Sequence, residues 1–239
     1  MKKYKYLLFD ADHTLVDYNK DEIAAFRAVY EEIGVPVSDD LLLYSHRLSE
    51  TVWTEAGLYD VHSERIQQQY HVLYRSHVKG VFERVFEKYP CNADAAALGE
   101  LFLKRLETRG NLYDGAEEVL AALSQKTGGR YAISIATNGI IPIQTGRLQA
   151  IEKYVDKVYI SESVGAIKPL PTFFERVLSD MGAKREECLM IGDSLSSDIV
   201  GAKGAGIDAC WYNPKKKANE SGVTPDFEIT DLRELLAIL

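Results

Sequence analysis

Asp10 and Asp12 lie one residue apart, directly after the apolar run Tyr6-Leu7-Leu8-Phe9. A short hydrophobic run that ends in acids reads as a buried strand delivering carboxylates to the carboxyl edge of a sheet, where open α/β sheets place their ligands. Two carboxylates this close repel each other unless a cation or a shared proton compensates them. Further polar residues follow other apolar runs. Tyr131 to Ala136 leads into Thr137-Asn138-Gly139, a hydroxyl and an amide in a turn that can offer backbone N–H groups to an anion. Lys168, before Pro169, can neutralise phosphate charge as a point cation. Cys188 to Ile191 ends in Gly192-Asp193-Ser194, with Asp198 close behind. Together with Asp10, Asp193 and Asp198 supply the oxygen ligands that suit a hard divalent ion such as Mg²⁺.

These residues need a scaffold, and the pattern supplies one. From Asp17 to Asn111 the chain reads as consecutive amphipathic helices, over 21–33, 41–53, 66–78 and 93–106, with Asn92 as N-cap of the last. After Asp114 helices alternate with short apolar strands: helix 116–123, strand 131–136, strand 158–160, helix 173–181, strand 188–191, helix 199–205, strands 207–212 and 227–229, and helix 232–239. Lys168 is expected at the start of a helical segment. Alternating βα units imply a parallel sheet with helices on both faces. The expected architecture is therefore an α/β, Rossmann-like core built from 1–16 and 112–239, with an all-helical domain, 17–111, inserted after the first strand.

Composition narrows the function further. The 239 residues are 46% hydrophobic and 27% charged, values typical of a globular protein. A formal net charge of -8 argues against a nucleic-acid polymer as partner, while a local cation still allows a small anion. The three cysteines, Cys91, Cys188 and Cys210, form neither a disulfide framework nor a zinc site, which points to a reducing compartment. Lys2 and Lys3 open the chain like a signal peptide, but the apolar run behind them is too short for a signal core or a membrane span. The expectation is a cytoplasmic protein with no membrane partner, a monomer or small homo-oligomer. Lys215-Lys216-Lys217, beside Pro214, reads as a solvated loop.

The chain resembles the haloacid dehalogenase-like (HAD) phosphohydrolases. Their four motifs occur in order: Asp10-Ala11-Asp12-His13-Thr14, Thr137, Lys168, and Gly192-Asp193 to Asp198. Singly each is weak; four in order, each at an expected strand end or helix start, are specific. The helical insertion resembles the family's type 1 cap, and the roughly thirty residues between Thr137 and Lys168 leave no room for the second cap type.

The resemblance implies a Mg²⁺-dependent phosphatase of small phosphate monoesters. It makes Asp10 the nucleophile that becomes an aspartyl phosphate, and Asp12 the general acid and base. It assigns Mg²⁺ to the Asp10 and Asp193 carboxylates and the Asp12 carbonyl. Thr137 and the Asn138 backbone bind phosphate, Lys168 neutralises the aspartyl phosphate, and Asp198 supports. Asp12 also disfavours dehalogenation, which needs no such acid.

His13 stands where many relatives carry glycine. That feature, within Phe-Asp-Ala-Asp-x-Thr-Leu, resembles the YjjG-like pyrimidine 5′-nucleotidases, which act on UMP, dUMP and dTMP. The aromatic-rich cap offers rings on which a base could stack, though for most of these rings packing between helices is the expected role. The alternatives left open are a phosphoglycolate or sugar-phosphate phosphatase, a phosphomutase, and a non-catalytic binding protein.

Overall fold

A computed structural model describes residues 4–239; Lys2 and Lys3 lie outside the described residues. The chain divides into two compact units. One comprises residues up to 17, 112–138 and 148–239; the other comprises 18–111 and 139–147.

The first unit is built on a six-stranded parallel sheet in the order β3-β2-β1-β4-β5-β6. Its strands are β1 (Tyr6–Phe9), β2 (Ala132–Thr137), β3 (Lys157–Ile160), β4 (Cys188–Gly192), β5 (Asp208–Tyr212) and β6 (Phe227–Ile229). The strands are almost continuously apolar because both faces are covered. Leu7, Phe9, Ile133, Ile135, Leu189 and Ile191 pack on one face, with α5 (Ala116–Leu123) supplying Val119 and Leu120. Leu8, Met190 and Trp211 pack on the other, against Phe173, Phe174 and Val177 of α8 (Pro171–Met181). The α/β parallel-sheet fold is therefore as expected.

Short helices complete this unit: α7 (Ser161–Val164), α9 (Val200–Gly204) and α10 (Leu235–Ile238). Lys168 does not begin a helix; it lies in the connection between α7 and α8. The expected helix at 199–205 is shorter and is preceded by a wide turn over Leu195–Ile199. Ser194 starts that turn, its hydroxyl accepting from Ser197 N at 3.1 Å.

The second unit holds α1 (Tyr18–Glu32), α2 (Asp39–Glu55), α3 (Glu64–Lys88), α4 (Ala95–Glu107) and α6 (Ile141–Arg147). Its centre is aromatic, with Phe26 lying 5.7 Å from Phe82 and 4.5 Å from Phe102 between ring centroids. Helix α3 continues well beyond Val78 because Val81, Phe82 and Val85 keep the apolar spacing and are all buried. Asp94, not Asn92, caps α4, its carboxylate accepting from Ala96 N at 2.9 Å.

Helix α6 has no counterpart in the sequence pattern. Pro142 is tolerated because it falls in the first turn, and Gly146 lets the helix close on α4. A β-carbon at Gly146 would lie 2.3 Å from the Glu107 carbonyl.

Candidate active site

Strand β1 lies between β2 and β4, so the loops that leave these three strands converge at one edge of the sheet. The chain winds from β1 through β2 to β3, then resumes at β4 on the other side of β1. Loops diverge at such a switch point and leave a crevice for a ligand. Asp10 follows β1, Thr137 ends β2, and Asp193 follows β4. Parallel pairing of Phe9 with both Ile135 and Ile191 puts these residues at the same height.

Lys168 ties the site together. Its ammonium donates to Asp10 Oδ1, Asp198 Oδ1 and the Ala136 carbonyl, each at 2.6 Å. Three acceptors use all three of its protons. Lys168 and Asp198 are fully buried and Asp10 is nearly so. Burial works against the lysine's charge, but Asp10 and Asp198 outweigh it and hold the ammonium above its ordinary pKa.

The loop that carries Lys168 is fixed by Asn138. Asn138 Nδ2 donates to the Lys168 carbonyl at 2.9 Å, and its Oδ1 accepts from Lys168 N at 2.8 Å. The sequence drew attention to the Asn138 backbone; the structure adds a side chain that holds the lysine.

Three further contacts hold the acidic loops. Thr14 is fully buried, and its hydroxyl accepts from Asp193 N at 3.1 Å. Asp198 Oδ2 accepts from Ser194 N at 3.0 Å. Trp211 Nε1 donates to the Asp193 carbonyl at 2.9 Å. Thr14 and Trp211 use their side chains to hold the Asp193 backbone, and Ser194 uses its own backbone N–H to hold Asp198; their residue types alone gave no sign of it.

His13 has φ of +63°, a left-handed conformation that suits glycine better. The turn is closed by His13 N donating to the Val16 carbonyl at 2.9 Å, and by Leu15 N and Val16 N donating to the Ala11 carbonyl. The backbone here is glycine-like despite the histidine.

Carboxylate oxygens of Asp10, Asp193 and Asp198 lie within 4.8 Å of one another. The Asp12 carboxylate is not part of that group; the expectation for Asp12 concerned its main-chain carbonyl. Burial drives the Asp10 carboxyl well above the ordinary carboxylate range, and Asp198 and Asp193 add to the shift against the opposing pull of Lys168. Burial, then Asp198, pushes Asp193 up to about 7. Burial and mutual repulsion resist ionising three carboxyl groups beside a single ammonium, and their oxygen donors fit a hard divalent cation that would relieve that repulsion.

A family profile described as haloacid dehalogenase-like hydrolase matches residues 4–206. The pyrimidine 5′-nucleotidase PynA of Streptococcus pneumoniae is 34% identical over 239 residues, covering 99% of this chain and 95% of that protein. The pyrimidine 5′-nucleotidase YjjG of Escherichia coli is 27% identical over 240 residues, covering 99% of this chain and 98% of that protein. The crystal structure of the HAD-hydrolase YfnB of Bacillus subtilis, bound to magnesium, superposes with a TM-score of 0.83 at 30% identity. It covers 100% of this chain and 99% of its own. With the profile spanning most of the sequence and a full-length relative at 34% identity, the chain belongs to the haloacid dehalogenase-like hydrolase family.

Proposed function

We propose that the protein is a Mg²⁺-dependent phosphatase of small phosphate monoesters, with a pyrimidine nucleoside 5′-monophosphate as substrate. The observation that carries the chemistry is the buried Lys168 ammonium shared between Asp10 and Asp198. Asp10 is the nucleophile: a carboxylate oxygen attacks phosphorus, the ester P–O bond breaks, and an aspartyl phosphate forms. Asp12 gives its proton to the departing oxygen, then accepts one from the water that hydrolyses the acyl phosphate. Lys168 and the Thr137–Asn138 turn meet the negative charge of the phosphoryl group. Asp198 keeps Lys168 aimed at Asp10.

The residues that would hold Mg²⁺ are Asp10 and Asp193 through their carboxylates and Asp12 through its carbonyl. When bound, the ion supplies charge neutralisation that lets an anionic nucleophile approach an anionic ester. The residues of 17–111 are proposed as the lid that selects substrate and excludes water. Unpaired Cys91, Cys188 and Cys210 fit a cytoplasmic enzyme.

The substrate class rests on the similarity to PynA and YjjG over almost the whole chain. Phosphate release is the test, comparing kcat/KM for UMP, dUMP, dTMP, AMP, 2-phosphoglycolate and glyceraldehyde 3-phosphate with Mg²⁺ and with EDTA. The reading expects preference for the pyrimidine monophosphates and loss of activity in chelator. Preference for a sugar or carboxylate phosphate keeps the chemistry and overturns the substrate. Undiminished activity in EDTA overturns the metal. Transfer of phosphate to a sugar in place of water identifies a mutase.

A further inference from the structure

The chain passes between its two units at four points: 17/18, 111/112, 138/139 and 147/148. A buried polar cluster within the helical unit gathers residues from beside three of them. Asp21 and Arg147 are almost wholly inaccessible to solvent. Arg147 donates to Asp21 Oδ2 from Nε at 3.1 Å and from Nη2 at 3.0 Å. Asp21 Oδ1 accepts from the backbone and side-chain nitrogens of Asn111 at 3.0 and 2.6 Å. The guanidinium lies 5.1 Å from the centroid of the Tyr18 ring. Gly110 belongs to the same arrangement, since a β-carbon there would fall 2.4 Å from the Arg147 carbonyl.

Burying this pair carries a heavy desolvation cost, and apolar side chains of similar volume often replace such pairs without loss of stability. What apolar packing lacks is a fixed register, and register is what this location demands. Asp21 stands on the helix that follows the Asp10–Asp12 loop, and Arg147 ends the helix that follows Thr137–Asn138. The pair thus joins the two segments that lead out of the nucleophile loop and the phosphate turn.

We propose that Arg147 is a positioning residue: paired with Asp21, it holds 139–147 to the helical unit and so sets the backbone that leaves the Thr137–Asn138 turn. The inference rests on the phosphatase reading for its kinetic consequence, but the tie itself is open to a test without turnover.

Arg147→Met removes the pair, and Arg147→Lys keeps a buried cation beside Asp21. Hydrogen exchange reads the tie: peptides within 139–147 should exchange about tenfold faster in Arg147→Met while α3 stays protected. Kinetics with p-nitrophenyl phosphate, well below the variant's melting temperature, read the positioning. KM and the inhibition constant of orthophosphate should rise together by about tenfold, with kcat within about threefold, because a displaced phosphate turn weakens every phosphate-bound state. Arg147→Lys should recover most of both losses. A lowered melting temperature with KM and the inhibition constant unchanged overturns the positioning role and leaves the pair a stability element. Unaltered exchange across 139–147 overturns the tie. If Arg147→Met does not fold, Asp21→Asn is read in the same way. Absence of phosphatase activity in the parent enzyme overturns the proposed function instead, and the exchange comparison then decides the tie alone.

Discussion

The Asp198 carboxylate occupies the space that a side chain on Gly192 would need. A β-carbon built on Gly192 would fall 2.2 Å from Asp198 Oδ2 and 2.4 Å from its Cγ. Asp198 shares the Lys168 ammonium with Asp10, so a single methyl at Gly192 would be felt at Asp10. Gly192→Ala is expected to lower kcat/KM at least about a hundredfold, as misplaced catalytic groups do. Overpacking at this point should cost about 1–3 kcal/mol. Phosphate release and urea denaturation of the same preparation check both.

Lys168→Met tests the charge balance. It leaves the buried Asp10 and Asp198 carboxylates without their ammonium, a loss worth about 3–5 kcal/mol when one partner of a buried pair is removed. Stability in chelator should drop by that order, and added Mg²⁺ should restore part of it. Melting temperatures with and without Mg²⁺ give the answer.

Asp10→Asn preserves shape and removes the nucleophile. Turnover should fall by about three orders of magnitude or more, while circular dichroism and melting temperature change little. Near-normal phosphate release from this variant would assign the nucleophile elsewhere.

Two histidines in the helical unit should pull stability in opposite directions with pH. His46 Nδ1 lies 2.5 Å from Glu22 Oε2, and this hydrogen bond raises the imidazole above its ordinary value of 6.5. Its contribution is full below that value and is lost as pH rises through the folded pKa. His77 is lowered by burial, so its contribution is present above 6.5 and is lost as pH falls toward the folded pKa. His46→Gln should therefore cost more at about pH 5.5 than at about pH 8. For His77→Gln the cost should be larger at the higher pH. Melting temperatures of both variants at the two pH values decide the signs.

The sheet was legible because its strands are short apolar runs bounded by turn residues, and the acids stand where those runs stop. Lys168 illustrates what was not legible. Its type and order suggested a phosphate cation, yet its three acceptors come from three separate segments of chain that the sequence does not bring together. Asn138 similarly looked like a turn residue, and only the fold brings its amide to the Lys168 backbone. Helix α6 went unseen for a local reason: seven residues that include Pro142 and Gly146 carry too little periodicity to register. Asp21, at the start of the expected helix over 21–33, gave no sign of its pairing with Arg147, because a buried ion pair across 126 residues leaves no spacing signal.

Of the two tryptophans, Trp53 lies in the helical unit and Trp211 in the sheet unit, the latter bonded to the Asp193 carbonyl. Each unit therefore contains its own fluorophore. With Trp53→Phe, emission reports only from the sheet, a few bonds from the acidic cluster; with Trp211→Phe, it reports only from an indole edge-on to Tyr70, Tyr74 and His77. Native light alone can thus distinguish whether the two halves of the molecule melt as one body or in succession.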